Sequence, residues 1–215
     1  MQKESKILMS TAYMPTIEYM ALMMKYGKVI IEKEETYQKQ TYRNRCKILS
    51  ANGILDLSIP VNKIHGNNTK TKDITIINSD RWFINHWRAI TSAYSGSPFF
   101  LYYKDDLEGF FMGKYDNLLE FNTEFTKDLL KLIRIDCEIE YSESFSTPEP
   151  ESPTDVRYSI SPKIEVNPKY FTEYIQVFSN KFNFSPNLSI IDLLFNLGPE
   201  TKDYLNQHNS ISEKT

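Results

Sequence analysis

The sequence predicts an α/β fold: a mixed sheet with an N-terminal βαβ unit, a β-hairpin and flanking helices. Three observations carry the expectation. An apolar run, a segment of helical period and a second apolar run follow one another within about 30 residues. An Asn-Gly pair then sits between two segments of alternating polarity. Amphipathic stretches of period 3.6 follow.

The first strand is read from "KILMSTAY", residues 6–13. Met14-Pro15 breaks it, and a proline suits a helix start because its missing N–H would go unpaired there. Ile17, Met20, Ala21 and Met24 recur at helical spacing, and Gly27 supplies the C-cap. "KVIIE", residues 28–32, is the second strand, so the two strands are expected to be parallel. In open α/β sheets ligands bind beyond the carboxyl ends of strands. That topology brings the turn at residues 11–15 and the segment at 34–37 to one sheet edge.

In "RCKILSANGILDLSIPV" the loop is expected at Asn52-Gly53 in a type I′ turn. That register pairs Ala51 with Ile54, Ile48 with Leu57 and Cys46 with Ile59. One face then carries Cys46, Ile48, Leu55, Leu57 and Ile59, and the other Arg45, Lys47, Asp56 and Ser58. Extended backward, it sends Arg43 and Arg45 to the polar face and Asn44 to the other. "HGNNTKTK" (65–72) reads as a polar loop and "DITIIN" (73–78) as a strand. "RWFINHWRAITSAY" (81–94) predicts a helix with Phe83, Trp87, Ile90 and Tyr94 as its apolar stripe, ended by Gly96 and Pro98. A second helix is expected over 115–133, with Asn122 the polar member of its stripe, and "CEIEY" (137–141) as a strand.

Residues 1–141 form the main α/β portion. Residues 142–160, opening with "SESFSTPEPESPTD", are expected to be a flexible Ser/Pro/Glu loop that packs no core. Residues 161–200 form a C-terminal helical portion completing the same domain, closed by Gly198-Pro199. A polar tail, 201–215, follows.

Bulk properties narrow the function. The 215 residues carry a net charge of -3, with 40% hydrophobic and 25% charged residues. This is ordinary globular composition with no general pull toward nucleic acid. Two cysteines make neither a disulfide framework nor a zinc site. No apolar run approaches the roughly 20 residues of a spanning helix. We therefore expect a soluble, cytoplasmic protein with no nucleic-acid partner and no membrane insertion. Glycine-rich phosphate loops, a nucleophile elbow and calcium or zinc ligand spacings are absent from the sequence, and no metal or cofactor is assigned.

"TYRNRC", residues 41–46, holds two of the six arginines. Lys39, Arg43, Asn44 and Arg45 have two readings: an anion site, since arginine forks match phosphate and carboxylate, or the charged face of an edge strand. His86, beside the aromatic stripe, is either a general acid or base or a structural helix histidine. His65 and His208 lie in polar segments and read as surface residues. Ser189, Asp192 and Asn196 form a polar line on an apolar helix, and Ser189 with Asp192 also matches a capping box.

"AYMPTIEYM", "TYQKQTYRNRCKI" with "LSIPV", "RWFINHWRAITSAYSGSPFF" and "FSPNLSIIDLLFNLG" together resemble, in order, the signatures of the WbqC-like family. The resemblance spans about Tyr13 to Gly198. It implies a bacterial protein linked to surface-polysaccharide, O-antigen-type biosynthesis. As a transferase it would move an acyl or aminoacyl group to a sugar or nucleotide sugar. The alternative is a non-catalytic protein of the same pathway that binds a nucleotide sugar or a partner. In the enzyme reading His86 is catalytic; Lys39, Arg43 and Arg45 hold an anionic, nucleotide-linked sugar; Tyr13, Tyr37 and Tyr94 line the cleft; and Asn44, Asp192 and Asn196 complete it. The Ser/Pro/Glu stretch departs from the more structured segment expected of family members there, which bears on substrate choice.

Overall fold

A computed structural model describes residues 6–148, 152 and 154–207; His208 lies outside them. Strand β1 (Ile7–Met9), helix α1 (Ile17–Tyr26) and strand β2 (Lys28–Ile31) form the βαβ unit, and β1 pairs β2 in parallel. The helix starts where the Thr16 hydroxyl accepts the Tyr19 N–H, and ends at Gly27, whose left-handed backbone (φ 66) closes the last turn. The first strand is shorter than residues 6–13 suggest. Beyond Met9 the chain turns to other partners: the Ser10 carbonyl accepts the Tyr19 hydroxyl, and the Tyr13 N–H reaches the Tyr42 carbonyl.

Strand β3 (Arg45–Ser50) and strand β4 (Gly53–Ser58) make the hairpin. Its register differs from the expected one by two residues: Ser50 pairs with Gly53, Ile48 with Leu55 and Cys46 with Leu57. A type I′ turn needs positive φ at both central residues. Gly53 has it (φ 98), whereas Asn52 does not, so the turn falls on Ala51-Asn52. A slip of two preserves the period of side-chain alternation, so Cys46, Ile48, Leu57 and Ile59 of the predicted inner face are buried, whereas Leu55, near the turn, stands exposed.

Strand β5 (Val61–Lys63) pairs antiparallel with strand β6 (Ile74–Ile76). Helix α2 (Trp82–Tyr94) buries Trp82, His86, Ile90, Ala93 and Tyr94. The buried stripe is thus rotated from the expected one: Phe83 and Trp87 stand at its margin and His86 is inside it. Helix α3 (Phe100–Glu108) is an element the sequence reading lacks; it buries Phe100, Tyr103 and Leu107, while Leu101 and Tyr102 stand exposed and blur the pattern. Helix α4 (Leu118–Ile133) is capped by the Asn117 side chain and buries Asn122. Strand β7 (Glu138–Tyr141) joins β2 in parallel, giving the order β1-β2-β7.

The stretch after β7 was expected to pack no core. Residues 143–147 are exposed, and 149–151 and 153 lie outside the described residues, but Ser142 and the segment 154–157 are tied to the sheet. Leu8 exchanges backbone hydrogen bonds with Thr154 and Val156, so this strand edge is covered. Ser142 donates to Glu32 at 2.6 Å, and fully buried Arg157 binds Glu32 and Asp155. From 161 to 188 the chain runs in turns and loops with one short 3-10 helix (Pro168–Tyr170), so α-helix in the C-terminal portion begins only with helix α5 (Ile190–Leu197). Helix α6 (Thr201–Gln207) then occupies the start of the expected tail, with Tyr204 and Leu205 buried. Ile7, Ile48, Phe121 and Leu193 belong to one buried cluster, which places sheet, hairpin and helices around a common core.

Candidate functional site

A cleft of about 460 Å³ opens beside the segment leading into β3. Tyr37, Lys39, Gln40, Asn44 and Arg45 line one side; Val61, Asn62, Lys63 and Gly66 line the other. Backbone pairing brings the two sides together: the Tyr37 N–H donates to the Thr69 carbonyl at 2.9 Å, and Thr71 N–H to Glu35 at 2.9 Å. Residues past the carboxyl end of β2 therefore lie against the β5–β6 connection.

The short stretch at residues 42–44, which enters the cleft at Asn44, is fixed carbonyl by carbonyl. Tyr42 accepts from Tyr13 N–H, Arg43 from Asn122 Nδ2 at 2.8 Å, and Asn44 from Ile59 N–H at 2.8 Å. Each tie comes from a different part of the chain. Gln40, on the rim, holds a left-handed backbone (φ 59), unusual without glycine.

Lys39, Arg45 and Lys63 bring three cations to this cleft, whose lining contains no carboxylate. Lys63 Nζ donates to the neutral Asn67 amide at 2.7 Å. Among the described residues, no carboxylate forms an ion pair with any of the three. Two buried polar atoms in the lining residues, Arg45 Nε and Asn44 Oδ1, have no hydrogen-bond partner among the described residues. Tyr37 is nearly covered; burial pushes its phenol up to about 12, against the lowering pull of Arg43 and Arg45.

Arg43 is not on the polar face with Arg45. It precedes the strand in a turn, where alternation does not apply, and is buried. Its guanidinium grips Glu35 through Nε (2.8 Å) and Nη2 (2.6 Å), and Nη2 also donates to Ser10 Oγ. A buried charge needs such a counterion. Glu35, Glu32 and Arg157 were not singled out in the sequence, since pairing across distant segments leaves no local pattern.

His86 lies outside the cleft lining and is 6% exposed. Its Nδ1 is 2.8 Å from the Tyr13 hydroxyl, and the ring also hydrogen-bonds the Ser58 backbone. The direction of the Tyr13–His86 bond follows the imidazole tautomer: with Nδ1 unprotonated the phenol donates to it. Burial lowers the imidazole pKa from 6.5 to about 4, so the ring is neutral at pH 7. Tyr13 is fully buried, which raises its own pKa strongly.

Tyr94, Asp192 and Asn196 meet in a second buried network, and none of them lines the cleft. The Asp192 carboxylate accepts from Tyr94 (2.9 Å), Tyr174 (2.6 Å) and Gln176 (3.1 Å). Asn196 donates to the Asp192 backbone carbonyl at 2.7 Å. The capping box does not form: Ser189 makes no side-chain cap bond, and the carboxylate turns to the two phenols. Burial raises the Asp192 pKa, with the donated hydrogen bonds opposing it.

Of the residues singled out in the sequence, Tyr37, Lys39, Asn44 and Arg45 thus share one cleft. Gln40, Asn62, Lys63 and Gly66 join them unforeseen. Reading "HGNNTKTK" as the loop of a hairpin, with β5 before it and β6 after, would have placed Lys63 at the same end as Arg45. Among the described residues, no three His, Cys, Asp or Glu side chains are grouped to hold a metal ion, and no helix is long and apolar enough to cross a membrane.

Uncharacterized protein Rv1507c of Mycobacterium tuberculosis (strain ATCC 25618 / H37Rv) is 25% identical over 227 residues, spanning 92% of this chain and 96% of that protein. No solved structure matches. A model of the WbqC-like protein family matches residues 11–167, from the turn after β1 through α1, β2, the cleft and the His86 helix, and the chain belongs to that family.

Proposed function

We propose that this protein binds an anionic small molecule, a nucleotide-linked sugar, in the cleft between Tyr37 and Gly66, within bacterial surface-polysaccharide biosynthesis. The supporting observation is the set of three cations, Lys39, Arg45 and Lys63, around one cleft that contains no carboxylate. A protein of net charge -3 has acids in excess, yet none answers these bases among the described residues. Arginine forks and lysine point charges suit the oxygens of a diphosphate. Glutamine and asparagine amides at the rim suit a sugar's hydroxyls. The pathway comes from the family resemblance.

The transferase reading, acyl or aminoacyl transfer to that sugar, uses the same cleft to seat the sugar substrate. One observation favours it: the His86 Nδ1 lies 2.8 Å from the Tyr13 hydroxyl, a phenol–imidazole pair that can carry a proton. Substrate would have to displace the Tyr13 contact to reach it. Without that opening, His86 positions the hairpin through Ser58.

Calorimetric titration with uridine diphosphate sugars and pyrophosphate tests the binding reading. Arg45→Met should weaken affinity by about tenfold or more, since charge-assisted hydrogen bonds contribute about 1.5–3 kcal/mol each. Raising the salt concentration should weaken binding further. Equal affinity in wild type and Arg45→Met, or no binding at millimolar ligand, refutes the assignment.

A further inference from the structure

We infer that the ligand carries a hydroxyl beside its oxyanion, as a sugar phosphate does, with Asn44 reading the hydroxyl while Arg45 holds the anion. This rests on the anion-binding reading above and deepens it by assigning recognition of the hydroxyl to Asn44. Asn44 Nδ2 donates to the Ile59 carbonyl at 2.8 Å. That bond orients the amide, because a carbonyl accepts only from the nitrogen. The Asn44 carbonyl takes the Ile59 N–H, so backbone and side chain are both registered on the same partner residue. What is left over is Oδ1, a buried acceptor with no donor among the described residues. The next residue, Arg45, leaves over Nε, a buried donor with no acceptor.

Two adjacent residues of one cleft therefore present opposite unmet demands. A plain oxyanion answers only one of them: it accepts from Arg45 Nε and has nothing to donate to Asn44 Oδ1. A second cation would answer Oδ1 and repel Arg45. A hydroxyl meets the demand without charge. With Gln40 and Asn62 also lining the cleft and no carboxylate there, hydroxyl recognition falls to amides, and Asn44 is the amide whose orientation is already fixed. Asn44 and Arg45 are half-buried and both line the cleft, so a seated ligand lies against both residues; Asn44 keeps its bond to Ile59, and the long Arg45 side chain shifts to turn its buried Nε to the anion.

The test compares two kinds of phosphate monoester at pH 8, where all are dianionic and the kinds differ in their hydroxyls. Hexose 1-phosphates (glucose, galactose and N-acetylglucosamine) and methyl phosphate are titrated into the full chain by calorimetry. Wild type should prefer at least one hexose phosphate by about tenfold, the scale of rejecting an analogue that leaves a polar group unpaired. In Asn44→Ala that ratio should collapse to within twofold, and Arg45→Met should weaken both ligands. Equal binding of hexose and methyl phosphates by wild type, with both lost in Arg45→Met, overturns this inference and leaves the anion site standing. Binding of neither overturns both. Because Asn44→Ala removes a strand contact and could fail to fold, deoxy analogues of the preferred hexose phosphate provide a second test on unaltered protein. One analogue should fall to the level of methyl phosphate; a series in which none does overturns the assignment.

Discussion

Acid should destabilise this protein through His86, and the size of the effect follows from its burial. The folded imidazole has a pKa of about 4 against 6.5 for the free side chain, because burial penalises the cation. A base with a depressed folded pKa contributes stability that is fully present above its unfolded pKa and is lost as pH falls through its folded pKa. At pH 7 both states hold a largely neutral ring. At pH 4 the unfolded ring is protonated and the folded ring about half so. The loss between these pH values is roughly 3 kcal/mol, at a slope approaching ~1.4 kcal/mol per pH unit. Total stabilities of single domains are about 5–15 kcal/mol, so this is a large share. Urea unfolding at pH 7, 5.5 and 4, followed by tryptophan fluorescence, measures it directly: Trp82 packs at 5.1 Å from the His86 ring. Asp192 acts in the opposite sense, since its raised pKa favours the folded state in acid, and the wild-type curve contains both. The comparison is therefore with His86→Gln, which retains Asp192 and does not titrate at that position. The variant should lose roughly 3 kcal/mol less than wild type between pH 7 and pH 4. Stability curves that differ only by a constant offset across this range refute the assignment of a buried neutral imidazole.

Two further outcomes follow from the packing. Arg43→Met should leave Glu35 buried without its counterion and cost about 3–5 kcal/mol, read as a lowered urea midpoint, whereas Arg45→Met should change stability by less than about 1 kcal/mol. Gly198→Ala should destabilise by about 1–3 kcal/mol, since Gly198 has φ 55 and an added Cβ would lie 2.5 Å from the Phe99 ring; a melting temperature within a degree of wild type refutes this.

The parts legible in the sequence are those governed by neighbours along the chain. Thr16, Gly27 and the 3.6 period between them specify α1, and two apolar runs around it specify a parallel pair. The hairpin's faces were legible while its pairing was not, because alternation is blind to a slip of two and turn type depends on the φ of a single asparagine. Helix α3 was obscured by Gly96, Pro98 and two exposed apolar residues. The candidate site divides in the same way. Lys39, Asn44 and Arg45 could be grouped because they lie close in the chain. Arg43 looked equivalent to Arg45, and only the fold reveals Glu35 beneath it. The aromatic neighbours of His86 were visible at once, but its depth depended on which side of α2 faces the core.

The three carbonyl ties at residues 42–44 bear on how a ligand would associate. Tyr13, Asn122 and Ile59 each hold one peptide unit of the same short stretch. Conformational freedom there is surrendered when the chain folds, before any ligand arrives, so association need not include the entropy of ordering that backbone. The backbone that enters the cleft at Asn44 is in this sense a rigid template, with adjustment left to long side chains such as Lys39, Arg45 and Lys63. Encounter on such a surface resembles docking onto a preformed mould. Discrimination then resides chiefly in dissociation, in how long a ligand stays once its oxygens have found Arg45.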